Sequence, residues 1–135
     1  MIWKLSLRLQ SEALSFDELA AIGRLPGSNA IRKGDPVSSR RPESGVRTHS
    51  SWSWSPRARE DDETIEESLA QVEEALLGMG SFDPNLVDCD VIVAMDGRST
   101  GSWVQFPPSL LRAASRVGAG IAIDAYCTEH DNDAP

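Results

Sequence analysis

The chain has 135 residues, 40% hydrophobic and 25% charged, with a net charge of −8 and only two cysteines. That length suits one domain with its own core, burying roughly two-thirds of its unfolded surface without metal or disulfide staples. No apolar run approaches a bilayer span, and MIWKLSLRL, with Lys4 and Arg8, has no signal-like apolar stretch, so a cytoplasmic protein with no membrane partner is expected.

Residues 2–9 alternate, Trp3, Leu5, Leu7 and Leu9 against Lys4, Ser6 and Arg8, which predicts a half-buried strand. Residues 11–23 predict a helix. Ser15 and Glu18 stand at capping-box spacing, Phe16, Leu19, Ala20 and Ile22 form an apolar stripe, and Gly23 offers a stop. Residues 25–50 then lose all periodicity to repeated Pro and Gly, so a long loop is expected. Trp52 and Trp54 alternate with serines in a short strand that puts both indoles on one face.

Residues 64–79 predict a second helix, with Thr64 and Glu67 at capping spacing and an apolar stripe of Ile65, Leu69, Val72, Leu76 and Met79. Residues 91–95 form a β-branched strand, Asp96-Gly97 a turn, and residues 103–106 a returning hairpin strand. Pro107-Pro108 opens a third helix, Gly118 closes it, and residues 119–126 form a last strand. The expected fold is α+β, a mixed, mainly antiparallel sheet with about three helices in the order β-α-loop-β-α-β-β-α-β. One domain is expected over residues 1–127, with a disordered tail at 128–135.

Charge is strongly divided along the chain. Residues 31–59 carry seven basic and two acidic side chains, whereas residues 60–90 carry eleven acidic and no basic ones. The acidic helix therefore has no internal i,i+4 ion pairs. It is expected to meet cations from the Arg-rich loop, a second copy of the chain, or a basic partner. The partner-binding candidates are Glu60, Asp61, Asp62, Glu63, Glu66, Glu67, Glu73 and Glu74. Arg40, Arg41, Arg47, Arg57 and Arg59 are the basic-loop candidates for a weaker reading, nucleic-acid binding, which the neighbouring acidic helix disfavours. Trp52, Trp54 and Trp103 are candidates for a pocket, in an alternative reading as a small-ligand protein or enzyme, although paired indoles beside small residues more often face a core. Asp35, in Gly-Asp-Pro, reads as a turn former rather than a catalytic acid.

The search for catalytic motifs is negative. His49 and His130 are the only histidines, and there is no G-x-S-x-G, P-loop or H-E-x-x-H motif. No cofactor or metal is expected, since the tail lacks the glycine and distal glutamate of a calcium loop and no second Cys/His cluster completes a zinc site. Cys89 and Cys127 are expected to stay reduced, though antiparallel neighbouring strands would bring them close.

Three segments carry a family resemblance: Lys33-Gly34-Asp35-Pro36, Arg47-Thr48-His49-Ser50-Ser51-Trp52, and Gly118-Ala119-Gly120-Ile121-Ala122-Ile123-Asp124-Ala125-Tyr126. In order and spacing the chain resembles the small bacterial proteins of domain of unknown function 4279, over nearly its whole length. Trp54 and a longer Arg/Ser/Pro insert depart from that pattern. The resemblance implies a fold and no settled activity. By fold-level analogy alone it suggests immunity or accessory proteins of bacterial competition loci. The leading expectation is a non-catalytic interaction protein, such as an immunity-type inhibitor, that presents its acidic helix to a basic partner.

Overall fold

The computed structural model describes residues 2–27, 29–56, 65–96 and 104–126. Among these residues, five strands and three α-helices follow in the order β1 (Ile2–Ser11), α1 (Phe16–Gly23), β2 (Asn29–Ile31), β3 (Ser50–Trp54), α2 (Ile65–Gly78), β4 (Asp88–Asp96), α3 (Pro108–Val117) and β5 (Gly120–Tyr126). The strands form one mixed sheet in the order β2-β3-β1-β4-β5, antiparallel except for the β4–β5 pair. The fold is α+β with a mainly antiparallel sheet, as the alternation of patterns predicted.

Alternation in the strands divides the sheet into two faces. Leu5, Leu7 and Leu9 of β1, Trp52 of β3, and Val91 and Val93 of β4 point to one side and are almost fully buried. Leu19 of α1, Leu69, Val72 and Leu76 of α2, and Leu110, Ala113 and Ala114 of α3 join them in a single core, so all three helices cover that side. The other face is polar. Arg8 and Asp90 are register partners there and form a cross-strand ion pair of 3.3 Å.

The helix ends follow local chemistry. Ser15 caps α1 with both halves of the capping box made, Ser15 Oγ accepting from the Glu18 N–H and the Glu18 carboxylate accepting from the Ser15 N–H. The helix begins at Phe16 rather than residue 11, because Ser11 ends β1. Its Oγ accepts from the N–H groups of Ala13 and Leu14 and donates to the Leu86 carbonyl. Pro107 precedes α3, and Gly118, in the left-handed region at φ 81°, closes it. The expected Thr64 cap, the turn at Gly97 and the tail at 128–135 lie outside the described residues.

Further details differ from the sequence reading. Residues 104–106 form no strand. Phe106 immediately precedes Pro107, proline has no N–H for a ladder, and Val104 and Phe106 instead pack against the core on the way into α3. The chain from β4 crosses through α3 to a parallel β5. The segment 25–50 contains β2, whose three residues are too few to show a period. It also contains a Pro36–Val46 bridge and a 3-10 turn at Pro42–Ser44. Finally, Cys89 lies near the start of β4, whereas Tyr126, at the end of β5, pairs with Asp96 at the far end of β4. Parallel pairing thus removes the proximity that an antiparallel pair would have given Cys89 and the end of β5, and Cys127 itself lies outside the described residues.

Candidate functional site

The helical period of α2 sorts its residues into two faces. Leu69, Val72 and Leu76 enter the core with Ser68 and Ala75. Glu66, Glu67, Ala70, Glu74 and Leu77 face solvent. Glu67 and Glu74 are seven residues apart, so they lie on one side of the helix about 10.5 Å apart along its axis. Among the described residues no ion pair reaches Glu66, Glu67 or Glu74. Glu73 has a different fate. It is half-buried, and its carboxylate accepts a 2.7 Å hydrogen bond from Ser109 Oγ in the first turn of α3, so it ties two helices together. Glu60, Asp61, Asp62 and Glu63 lie outside the described residues.

A cation does reach α2, from an unexpected place. Arg24 follows α1 in the left-handed region at φ 64°, a conformation that usually falls to glycine. Its backbone N–H bonds to Ala20 O, and its Nη1 donates to the Gly78 carbonyl at 3.2 Å. The guanidinium thus sits at the negative end of α2, which has no basic residue of its own in its last turn. The Gly80 N–H bonds to Ile22 O at 2.9 Å and completes a clasp between the ends of α1 and α2.

Helix α1 stops at Gly23, as the sequence suggested, but the left-handed residue after it is Arg24. Gly23 is also a seat for Trp52: a Cβ there would lie 2.5 Å from Cη2 and Cζ2 of that indole. Gly27 meets the other side of the ring, with 2.7 Å between an added Cβ and Nε1. Trp52 is fully buried, and its Nε1 has no hydrogen-bond partner among the described residues. Trp54 lies on the same face of β3, farther along, and is only half-buried. With Arg24, Leu25, Gln71 and Glu74 it walls an open groove of about 480 Å³. The expected Trp pocket is thus brought together around Trp54 alone. Trp52 belongs to the core, and Trp103 lies outside the described residues.

Three cations of the basic segment, Arg32, Lys33 and Arg47, are bonded to their own protein. Arg32 reaches Asp17 at 3.4 Å and stacks over the Phe16 ring, 4.7 Å from its centroid. Lys33 donates from Nζ to the Glu12 carbonyl at 2.9 Å and from its backbone to Ser50 Oγ. Arg47 donates from its guanidinium to Val37 O, and its backbone exchanges bonds with Gly34 and Asp35. Gly34 has φ 93°, and the Asp35 N–H bonds to Arg32 O at 3.1 Å, so the Lys-Gly-Asp-Pro segment is a tight turn. Pro36 continues it into the Val46 bridge. Arg40 and Arg41 are exposed and form no ion pair among the described residues, while Arg57 and Arg59 lie outside them.

His49 borders a polar cleft of about 300 Å³ with Gln10, Glu12 and Asp88 at the end of β1. Among the described residues no three His, Cys, Asp or Glu side chains gather to hold a metal ion. Burial, reinforced by the neighbouring Asp90 carboxylate, pushes the Cys89 thiol up to about 12, so it stays protonated. No helix among the described residues is long and apolar enough to cross a membrane.

The family model described as Domain of unknown function (DUF4279) matches residues 2–128, and the chain belongs to that family. No curated protein and no solved structure matches the chain.

Proposed function

We propose that this member of the DUF4279 family is a non-catalytic cytoplasmic protein that binds a basic partner protein through the outer face of α2 and the groove beside it. The observation that carries this reading is the contrast in partners: Glu66, Glu67 and Glu74 are exposed without a paired cation among the described residues, while Arg32, Lys33 and Arg47 are engaged internally. Exposed carboxylates on a rigid helix speed encounter with a cationic surface and reject acidic ones. Trp54 adds an aromatic wall against which a lysine or arginine of the partner can lie, close to Glu74. An immunity-type inhibitor that covers a basic surface of its target is a role suited to this arrangement.

The internal bonds of Arg32, Lys33 and Arg47 also weigh against a nucleic-acid reading, since cations already bonded contribute less to phosphate neutralisation. The Trp54 groove favours one other reading, a small planar ligand between the indole and Arg24, which ligand-dependent fluorescence abolished by Trp54→Ala would support.

The test is capture of partners from the source cell's lysate on immobilised protein, with and without nuclease, at low and high salt. The expected result is one stoichiometric basic protein that survives nuclease, weakens with salt, and is lost from a Glu66→Lys/Glu67→Lys/Glu74→Lys variant. Equal retention by that variant, or only nuclease-sensitive material, contradicts the reading.

A further inference from the structure

The two edges of the sheet are unequal. β2, at one edge, is three residues long and is followed directly by Arg32 and Lys33, the charged, short kind of edge that resists pairing. β5, at the other, runs seven residues, Gly-Ile-Ala-Ile-Asp-Ala-Tyr, with no proline, no lysine and one charge, Asp124. Among the described residues no strand pairs with its outer side. Ile123 is the register partner of Val93, so it points to the helix-covered side of the sheet; Val93 is fully buried, yet Ile123 is 58% exposed. An apolar side chain on the core side is left open because the layer ends there.

We propose that β5 pairs antiparallel with β5 of a second copy of this chain, about a twofold axis at Ile123, joining two sheets into one of ten strands. The sequence of the strand is self-complementary in that register. Ile123 meets Ile123 of the second copy, Ile121 meets Ala125, and Asp124 meets Ala122, so the two exposed isoleucines bury one another and no aspartate faces an aspartate. A parallel in-register pairing would set Asp124 beside Asp124, and an antiparallel one centred on Asp124 would do the same. Backbone hydrogen bonds along the edge supply the attraction common to strand addition. The pairing stands apart from α2 and does not depend on the partner reading above.

Sedimentation equilibrium over a concentration series tests it on the full chain. The wild type is expected to reach a dimer. Ile123→Lys, at an exposed position, should weaken dimerisation roughly tenfold while the circular dichroism spectrum is unchanged. Ala122→Lys, which the register places opposite Asp124 twice per dimer, should tighten it several-fold. A wild type that stays monomeric at every concentration overturns the proposal and leaves the edge bare or covered by residues 127–135 of its own chain. So does a dimer indifferent to Ile123→Lys, or one weakened by Ala122→Lys, the result expected if the axis lay at Ala122 instead.

Discussion

Residues 31–49 and helix α2 are opposite in charge, and their side chains are used in opposite ways. Arg32 is paired with Asp17 over Phe16, Lys33 is anchored to the Glu12 carbonyl, and Arg47 holds the Val37 carbonyl. Among the described acidic residues of α2, only Glu73 is taken up, by Ser109, and Glu66, Glu67 and Glu74 stay in solvent. A run of charge in a sequence therefore says little about availability until the partners are known. Arg32 and Lys33 staple a hairpin to α1 and the end of β1, and Arg47 braces it from within, while Arg40 and Arg41 stay in solvent. The acidic run is held out by a helix whose other face is locked in the core.

That lock is the place to break the comparison most severely. Trp52 fills the space between β3 and the end of α1, so Trp52→Ala should cost about 3–5 kcal/mol in chemical denaturation and disorder the clasp that orients α2. Gly23→Ala isolates the fit of the ring. Alanine gains about 1 kcal/mol of helix propensity over glycine, but the clash with the indole should cost about 1–3 kcal/mol and win. A Gly23→Ala variant as stable as the wild type would show that the indole has room to move.

An acid that the fold keeps neutral sharpens the contrast with the solvated glutamates. The Cys89 thiol is pushed up to about 12 from an ordinary value of 9.0. Below pH 9 it is protonated in both folded and unfolded chains and makes no difference to stability. As pH rises above 9, the unfolded chain loses this proton first, so the folded state loses stability progressively, on the order of 1 kcal/mol by pH 10. Urea titrations of wild type and Cys89→Ala between pH 8 and 10 should show the wild type falling more steeply. Parallel slopes would mean that the thiol is not shielded.

Smaller effects separate engaged arginines from free ones. Arg32→Gln removes an exposed ion pair and a cation–π contact and should cost about 1 kcal/mol. Arg40→Gln and Arg41→Gln should stay within about 0.5 kcal/mol of wild type. Equal losses at all three positions would erase the distinction drawn between them.

Much of the architecture was legible because its causes are local. The β1 alternation, the Ser15–Glu18 box, the α2 stripe and the Pro107-Pro108 start of α3 each depend on residues a few positions apart. What was illegible depends on contacts across the chain. β2 exists because Trp52 and Ser53 offer it a partner, not because Asn-Ala-Ile has a pattern. The β4–β5 pair is parallel because α3 carries the chain across, which no short-range signal in residues 103–106 announced. In the site, helical spacing sufficed to expose Glu66, Glu67 and Glu74. It did not foresee that Glu73 would be claimed by another helix, or that Arg24 would cap α2. Gly23 ends α1 as its place in the sequence suggested, but its second role, leaving room for the Trp52 ring, depends on a contact across the chain.

The most direct measurement is the affinity of the captured basic partner for three proteins at several salt concentrations: wild type, Glu66→Lys/Glu67→Lys/Glu74→Lys, and Arg40→Gln/Arg41→Gln. The account predicts a loss of at least roughly tenfold and a flattened salt dependence for the acidic-face variant, with wild-type affinity for the arginine variant. Loss of binding in the arginine variant, with the acidic-face variant intact, would contradict it.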